Sequence, residues 1–82
     1  MTAVPNPVRE RAAVAFTLPA ASDADVAVFD PLGRRVSQLA TGPVGPGRHE
    51  VSFDASGVPS GVYVIRLAAD GEVRTARLTV VR

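Results

Sequence analysis

The sequence contains no cysteine and no lysine, a single histidine, and only four aromatic residues, Phe16, Phe29, Phe53 and Tyr63. Without cysteine there is neither a disulfide nor a thiol nucleophile, and the redox compartment is left open. With one histidine, a Ser-His-Asp triad has only His49 to be built on. No stretch approaches the ~20 consecutive apolar residues that span a bilayer as a helix. The N-terminus lacks the charged-then-apolar pattern of a signal peptide, so a domain of this kind working outside the cell is expected to take its export signal from a larger precursor. Nine basic and eight acidic side chains leave a formal net charge of +1, too little to steer the chain to nucleic acid or an anionic membrane. All the basic residues are arginine, so that charge is fixed.

What is present in quantity is valine, alanine, glycine and proline. The apolar content of 46% comes mostly from Val and Ala, which suits thin strands packed face to face better than a helical core. Seven Gly and seven Pro are spread along the chain, the punctuation of an all-β protein. One domain is expected over residues 4–82, with residues 1–3 a frayed N-terminus and Pro5-Asn6-Pro7 a rigid turn into the first strand.

The stretch Val62 to Leu67 is β-branched and aromatic, and two turn clusters before it give it a sharp start at Gly61. With period 2, Tyr63, Ile65 and Leu67 share a face, and Arg66 on the other face assigns the Tyr63 side to the core. A tyrosine entering a core strand after a Gly turn matches the tyrosine corner of β-sandwiches. Upstream, Val14, Phe16 and Leu18 alternate with small residues, and Val26 and Val28 share a face between Asp25 and Phe29. Asp30-Pro31-Leu32-Gly33 places Asp, Pro and Gly where a type I turn wants them, with Gly33 expected at positive φ in a three-residue hairpin loop. Arg34 to Ala40 returns with Val36 pointing inward, and Leu39 breaks the alternation, which predicts a bulge or an early end. Thr41 to Gly47 reads as a surface loop. Arg48 to Asp54 alternates, with His49, Val51 and Phe53 on one side. Asp70-Gly71 is a hairpin signal leading to a last strand, Glu72 to Val81, with Ala76, Leu78 and Val80 on one face. The expected fold is an antiparallel, Ig-like β-sandwich of about seven strands, with a small open barrel as the alternative.

Candidate chemistry is sparse. His49 keeps step with Val51 and Phe53, and no Gly-x-Ser-x-Gly motif accompanies it, so it reads as a structural, partly buried residue. Asp25 and Asp30 stand at opposite ends of one strand, about 16 Å apart at ~3.3 Å per residue, too far to share a calcium ion. Asp30 and Asp54 are expected to bond the backbone N–H groups of the turns that follow them. Arg34-Arg35 reads as a solvated doublet. No catalytic, cofactor-binding, metal or small-molecule site is expected, and no enzyme.

Read in order, the motifs nonetheless resemble one family. Pro5-Asn6-Pro7, Phe16-Thr17-Leu18-Pro19, Val28-Phe29-Asp30, Leu32-Gly33-Arg34, His49-Glu50-Val51-Ser52-Phe53-Asp54, Ser60-Gly61-Val62-Tyr63 and the closing Arg77-Leu78-Thr79-Val80-Val81-Arg82 are similar to the C-terminal sorting domain of the type IX secretion system. The Ig-like domain of flagellar hook-capping proteins carries a similar pattern. The first resemblance implies a non-enzymatic β-sandwich that follows a cargo protein in Bacteroidetes-type bacteria, passes through the periplasm, and directs the cargo to the cell surface. It implies two partners, an outer-membrane translocon that reads the domain and a sortase-like peptidase that removes it. By position it marks Arg77, Leu78, Val80, Val81 and Arg82 as the translocon signal. The other readings are a non-catalytic adhesion module, which would need exposed aromatics, and a spacer in a surface or hook-capping assembly.

Overall fold

In a computed structural model that describes all residues from Met1 to Arg82, seven strands and no helix make up the chain: β1 (Thr2–Val4), β2 (Arg11–Leu18), β3 (Ser22–Phe29), β4 (Arg35–Val44), β5 (Gly47–Asp54), β6 (Gly61–Ala69) and β7 (Glu72–Val80). They form two antiparallel sheets, one ordered β1-β2-β5 and the other β4-β3-β6-β7. The inner faces alternate as the sequence predicts, with Val14, Phe16 and Phe53 meeting Val26, Val28, Tyr63, Ile65, Leu67, Leu78 and Val80 in one core that contains no buried polar side chain. This is the expected Ig-like sandwich. Its fourth strand lies beside the third, whereas in a constant-type immunoglobulin domain that strand joins the opposite sheet.

The corners follow from their residues. Tyr63 is buried, and its hydroxyl donates to the carbonyl oxygen of Pro59 at 2.7 Å, closing the predicted tyrosine corner. Asp30 and Arg34 bracket the hairpin loop between β3 and β4, where Gly33 takes φ +83°. There Asp30 Oδ1 accepts the backbone N–H groups of Leu32 and Arg34, each at 2.9 Å. Gly61 opens β6, and Asp70-Gly71 joins β6 to β7, both residues at positive φ.

Four expectations need correction. Thr2–Val4, at the end expected to fray, pairs with Ala13–Ala15 at the edge of the first sheet. The third strand begins at Ser22, three residues before its predicted start. Thr41 to Val44 is strand, its Gly42, Pro43 and Val44 lying opposite Ala24, Asp23 and Ser22, so only Gly45 and Pro46 connect β4 to β5. β4 is an edge strand, and an edge tolerates a proline that a central strand would reject. Lastly, Val36 is 39% exposed rather than inward. The pairing steps from Val28↔Ser37 to Phe29↔Arg35, which leaves Val36 as a bulge residue without a partner. A second step, from Val26↔Ala40 to Ala27↔Gln38, does the same at Leu39, where the broken alternation had predicted it.

One connection was not foreseen. Pro5-Asn6-Pro7, with cis bonds before both prolines, carries the chain from the first sheet across to the second. There Val8 forms a parallel bridge with Val80. Val8, fully buried, plugs the core between the sheets.

Candidate functional site

The five terminal residues marked by the resemblance do not share one environment. Leu78 and Val80 are 0% and 1% exposed and face the core. Their neighbours hold the strand's outer edge: Val8 N–H donates to Thr79 O at 2.8 Å, and Val81 N–H donates to Val8 O at 2.9 Å. Asn6 completes the seal, its Nδ2 donating to Arg77 O at 3.2 Å and its Oδ1 accepting Thr79 N–H at 3.0 Å. The last part of β7 is therefore not an open edge.

Arg82 is tied down by its side chain. Its Nε donates to Val58 O at 3.0 Å, Nη1 to Arg9 O at 2.8 Å, and Nη2 to Val58 O at 2.6 Å and to Ala55 O. A guanidinium is all donor and no acceptor, so a ring of carbonyl oxygens suits it without any carboxylate. Three separate chain segments meet on this one side chain. Arg77 and Arg82 are both exposed, but only Arg77 makes neither a hydrogen bond nor an ion pair through its side chain.

Arg77 belongs to the outer face of the four-stranded sheet. One rung across β4, β3, β6 and β7 reads Arg35, Phe29, Val64, Arg77. The next reads Gln38, Ala27, Arg66, Thr75. The guanidinium of Arg66 stands 4.7 Å from the centre of the Phe29 ring and that of Arg35 stands 5.7 Å from it. Arg35 also pairs with Asp25 at 3.4 Å, an oxygen-bearing side chain that Gln38 holds from the other side at 3.1 Å. Val62, 47% exposed, extends the apolar part of the face along β6.

The remaining candidates are structural. His49 is half-buried, its Nε2 2.7 Å from Gly45 O and its ring stacked on Phe16 at 5.5 Å. No three of the His, Asp and Glu side chains converge on a point. The Asp30 carboxyl is held below its ordinary value of 3.8, first by the backbone N–H of Arg34. Asp54 is likewise held down, first by the Ser56 hydroxyl, which donates to it at 2.6 Å. Both carboxylates serve turns, as predicted. The most enclosed hollow, beside Leu18, Leu67 and Arg74, holds about 70 Å³; wider depressions of about 570 Å³ beside Val36 and Tyr63 and about 600 Å³ beside Phe29, Val62 and Arg66 are shallower and open to solvent.

The terminal strand is built into the core of the sandwich, and what it serves is decided by the family. The model of the secretion system C-terminal sorting domain matches residues 2–81. The chain belongs to that family. The expected resemblance is thus established over nearly the whole chain, and the sorting domain is the type IX secretion signal that directs a preceding cargo protein to the cell surface or beyond. No curated protein matches it.

The core residues of the sorting domain were legible in the sequence, and two features were not. Pro5-Asn6-Pro7 was legible as a turn and not as the cover of a strand edge 71 to 73 residues away. The stacking of Arg66 on Phe29 depended on β3 and β6 being neighbours, which no local pattern reveals.

Proposed function

We propose that the sorting domain acts as a folded address. It passes through the periplasm as a sandwich, is read there by an outer-membrane translocon, and is removed by a sortase-like peptidase when the cargo is attached. It performs no chemistry itself. The observation that supports a folded address is the placement of the terminal residues: Leu78 and Val80 in the core, Val81 bonded to Val8, and Arg82 among carbonyls. A linear tail signal would need those residues free to be read. In the folded form they serve recognition by fixing the strand, and Arg77 is left to touch the reader.

The test is a fusion of this chain to a periplasm-directed reporter in a type IX-competent host. The reporter is expected on the surface. A fusion that stays in the periplasm, folded and uncleaved, would sink the reading.

A further inference from the structure

We propose that the outer face of the four-stranded sheet is a docking surface for an acidic, extended protein segment of the secretion machinery, received by Arg66 and Arg77 over the apolar floor of Phe29, Val62 and Val64. This rests on the sorting function and adds to it the chemistry of the partner.

Charge pairing and placement together point to these two arginines. Arg34, Arg35, Arg48 and Arg74 each have a carboxylate of this chain within 4 Å, and Arg82 is saturated by carbonyl oxygens. Arg9, Arg11, Arg66 and Arg77 have neither; Arg9 and Arg11 sit at the start of β2, where Arg11 lies opposite Asp54, whereas Arg66 and Arg77 stand together on a sheet face with apolar neighbours. They are diagonal neighbours on adjacent strands, because Arg66 lies opposite Thr75, two residues from Arg77; such positions are about 7–8 Å apart. Carboxylates at alternate residues of an extended segment are spaced about 6.6 Å apart and point to one side. An acid-x-acid segment therefore fits the pair. Its neighbouring apolar side chains would cover Val62 and Val64, where a desolvated contact strengthens the ion pairs beside it.

Phe29 prepares the site. Its ring sits beside the Arg66 guanidinium at 4.7 Å, a contact that orients the arginine while leaving its N–H donors unused. A second copy of this chain is a poor occupant. Asp25, Asp30, Glu50 and Glu72 are already ion-paired and Asp54 is bonded by Ser56. Of the acids left over, Asp23 and Asp70 lie side by side at one end of the sheet, next to the paired Ala24 and Ala69, and Glu10 lies apart beside Ala55. In each acid-x-acid run of the chain, Asp23–Asp25 and Asp70–Glu72, one acid is already held by an arginine.

The experiment is surface export of the reporter fusion in its parent form, as Arg66→Gln/Arg77→Gln, and as Arg11→Gln/Arg48→Gln, an equal charge loss on the other sheet. Thermal melts of the purified chains check folding. The expected result is export of the parent and of the Arg11/Arg48 variant alike, with export of the Arg66/Arg77 variant lowered about fivefold or more at unchanged melting temperature, the scale of two exposed ion pairs. Equal export of all three overturns the docking face and leaves the sorting function standing; failure of the parent removes both. If the double variant melts early, Val62→Glu gives the second reading, because an acid placed there repels an acidic partner; normal export of folded Val62→Glu overturns the proposal. Two other results would reassign the face and overturn it as well. One is binding of the parent, but not of the double variant, to phosphatidylglycerol vesicles. The other is a dimer of the purified parent that Arg66→Gln/Arg77→Gln dissolves.

Discussion

Arg82 grips the carbonyl oxygen of Val58 with two of its nitrogens, Nε at 3.0 Å and Nη2 at 2.6 Å. Its remaining donors reach Arg9 O and Ala55 O, so one side chain joins the loop after β5, the approach to β2 and the end of β7. Arg82→Met keeps much of the apolar stem and removes every one of these bonds. It is expected to lower stability by about 1–2 kcal/mol, the lower part of the range for hydrogen bonds to a charged group because the site is reached by water. Chemical denaturation of the two chains measures it. An unchanged midpoint would mean that water replaces the guanidinium without loss. Arg82→Glu should cost more, because it brings a carboxylate up to three carbonyl oxygens. Charge reversal at this position is therefore a change of fold stability before it is a change of signal.

Tyr63→Phe removes a single hydroxyl from a buried ring. The carbonyl of Pro59 loses its 2.7 Å donor, and the ring keeps its packing. The expected loss is about 1–2 kcal/mol, read as a lower urea midpoint at unchanged slope. A variant as stable as the parent would show that the corner is held by packing alone.

Gly33→Val isolates a backbone effect. Nothing lies within 4 Å of where its Cβ would stand, yet its φ is +83°. The cost comes from conformation and not from a clash, and about 1–2 kcal/mol is expected for a β-branched residue in the left-handed region. A neutral result would require the hairpin to adopt another turn, and the amide exchange of Gly33, whose N–H donates to Asp30 O at 2.9 Å, would show it.

Arg82, whose bonds reach Arg9 and Val58, could not be read from a single sequence; the corner and the hairpin could. Tyr63, Asp30 and Gly33 were legible because each feature is closed within four residues, where side-chain chemistry and backbone preference act on the same segment. The inward faces of β2, β5, β6 and β7 were legible because alternation is a local code for burial. Val36 was misread because a bulge shifts the pairing, and register belongs to two strands rather than one. Thr41 to Val44 was misread because Gly and Pro were taken as loop formers, and their harmlessness depends on β4 being an edge. The outer face with Arg66 and Arg77 was invisible for the same reason. Its rungs exist only once strand order is known.

Asp30 and Asp54 make stability depend on acid. Both carboxyls are held below 3.8 in the folded state, so the unfolded chain binds protons first as pH falls. Their contribution is fully present above the unfolded value near 4 and is lost as pH drops through the folded values. Stability is expected to be level between about pH 5 and 7 with respect to these groups and to decline below about 4. In Asp30→Asn/Asp54→Asn that decline should be shallower. Melting temperatures of both proteins across this range test the assignment; parallel curves would place the acid sensitivity on other carboxyls.

Deleting Leu78 to Arg82 shows why fold and address are hard to separate in this domain. The truncation removes two core side chains at 0% and 1% exposure, worth about 1.5–3 kcal/mol each when fully buried. It also removes the Arg82 bonds, strips the partner from the start of β6, and leaves Val8 without the bridge to Val80. A chain of this length has on the order of 4–12 kcal/mol in total, so the truncated domain is expected to be largely unfolded at growth temperature. Loss of export on truncation would then report unfolding and say nothing of recognition at the terminal residues. Arg77→Gln offers the cleaner contrast, because Arg77 is exposed and its side chain bonds to nothing in the fold. Circular dichroism should find the truncated chain disordered and Arg77→Gln as stable as the parent to within about 0.5 kcal/mol, the usual range for surface changes. A truncated chain that keeps a cooperative melt would put the terminal strand outside the folding unit and restore the linear tail as the signal.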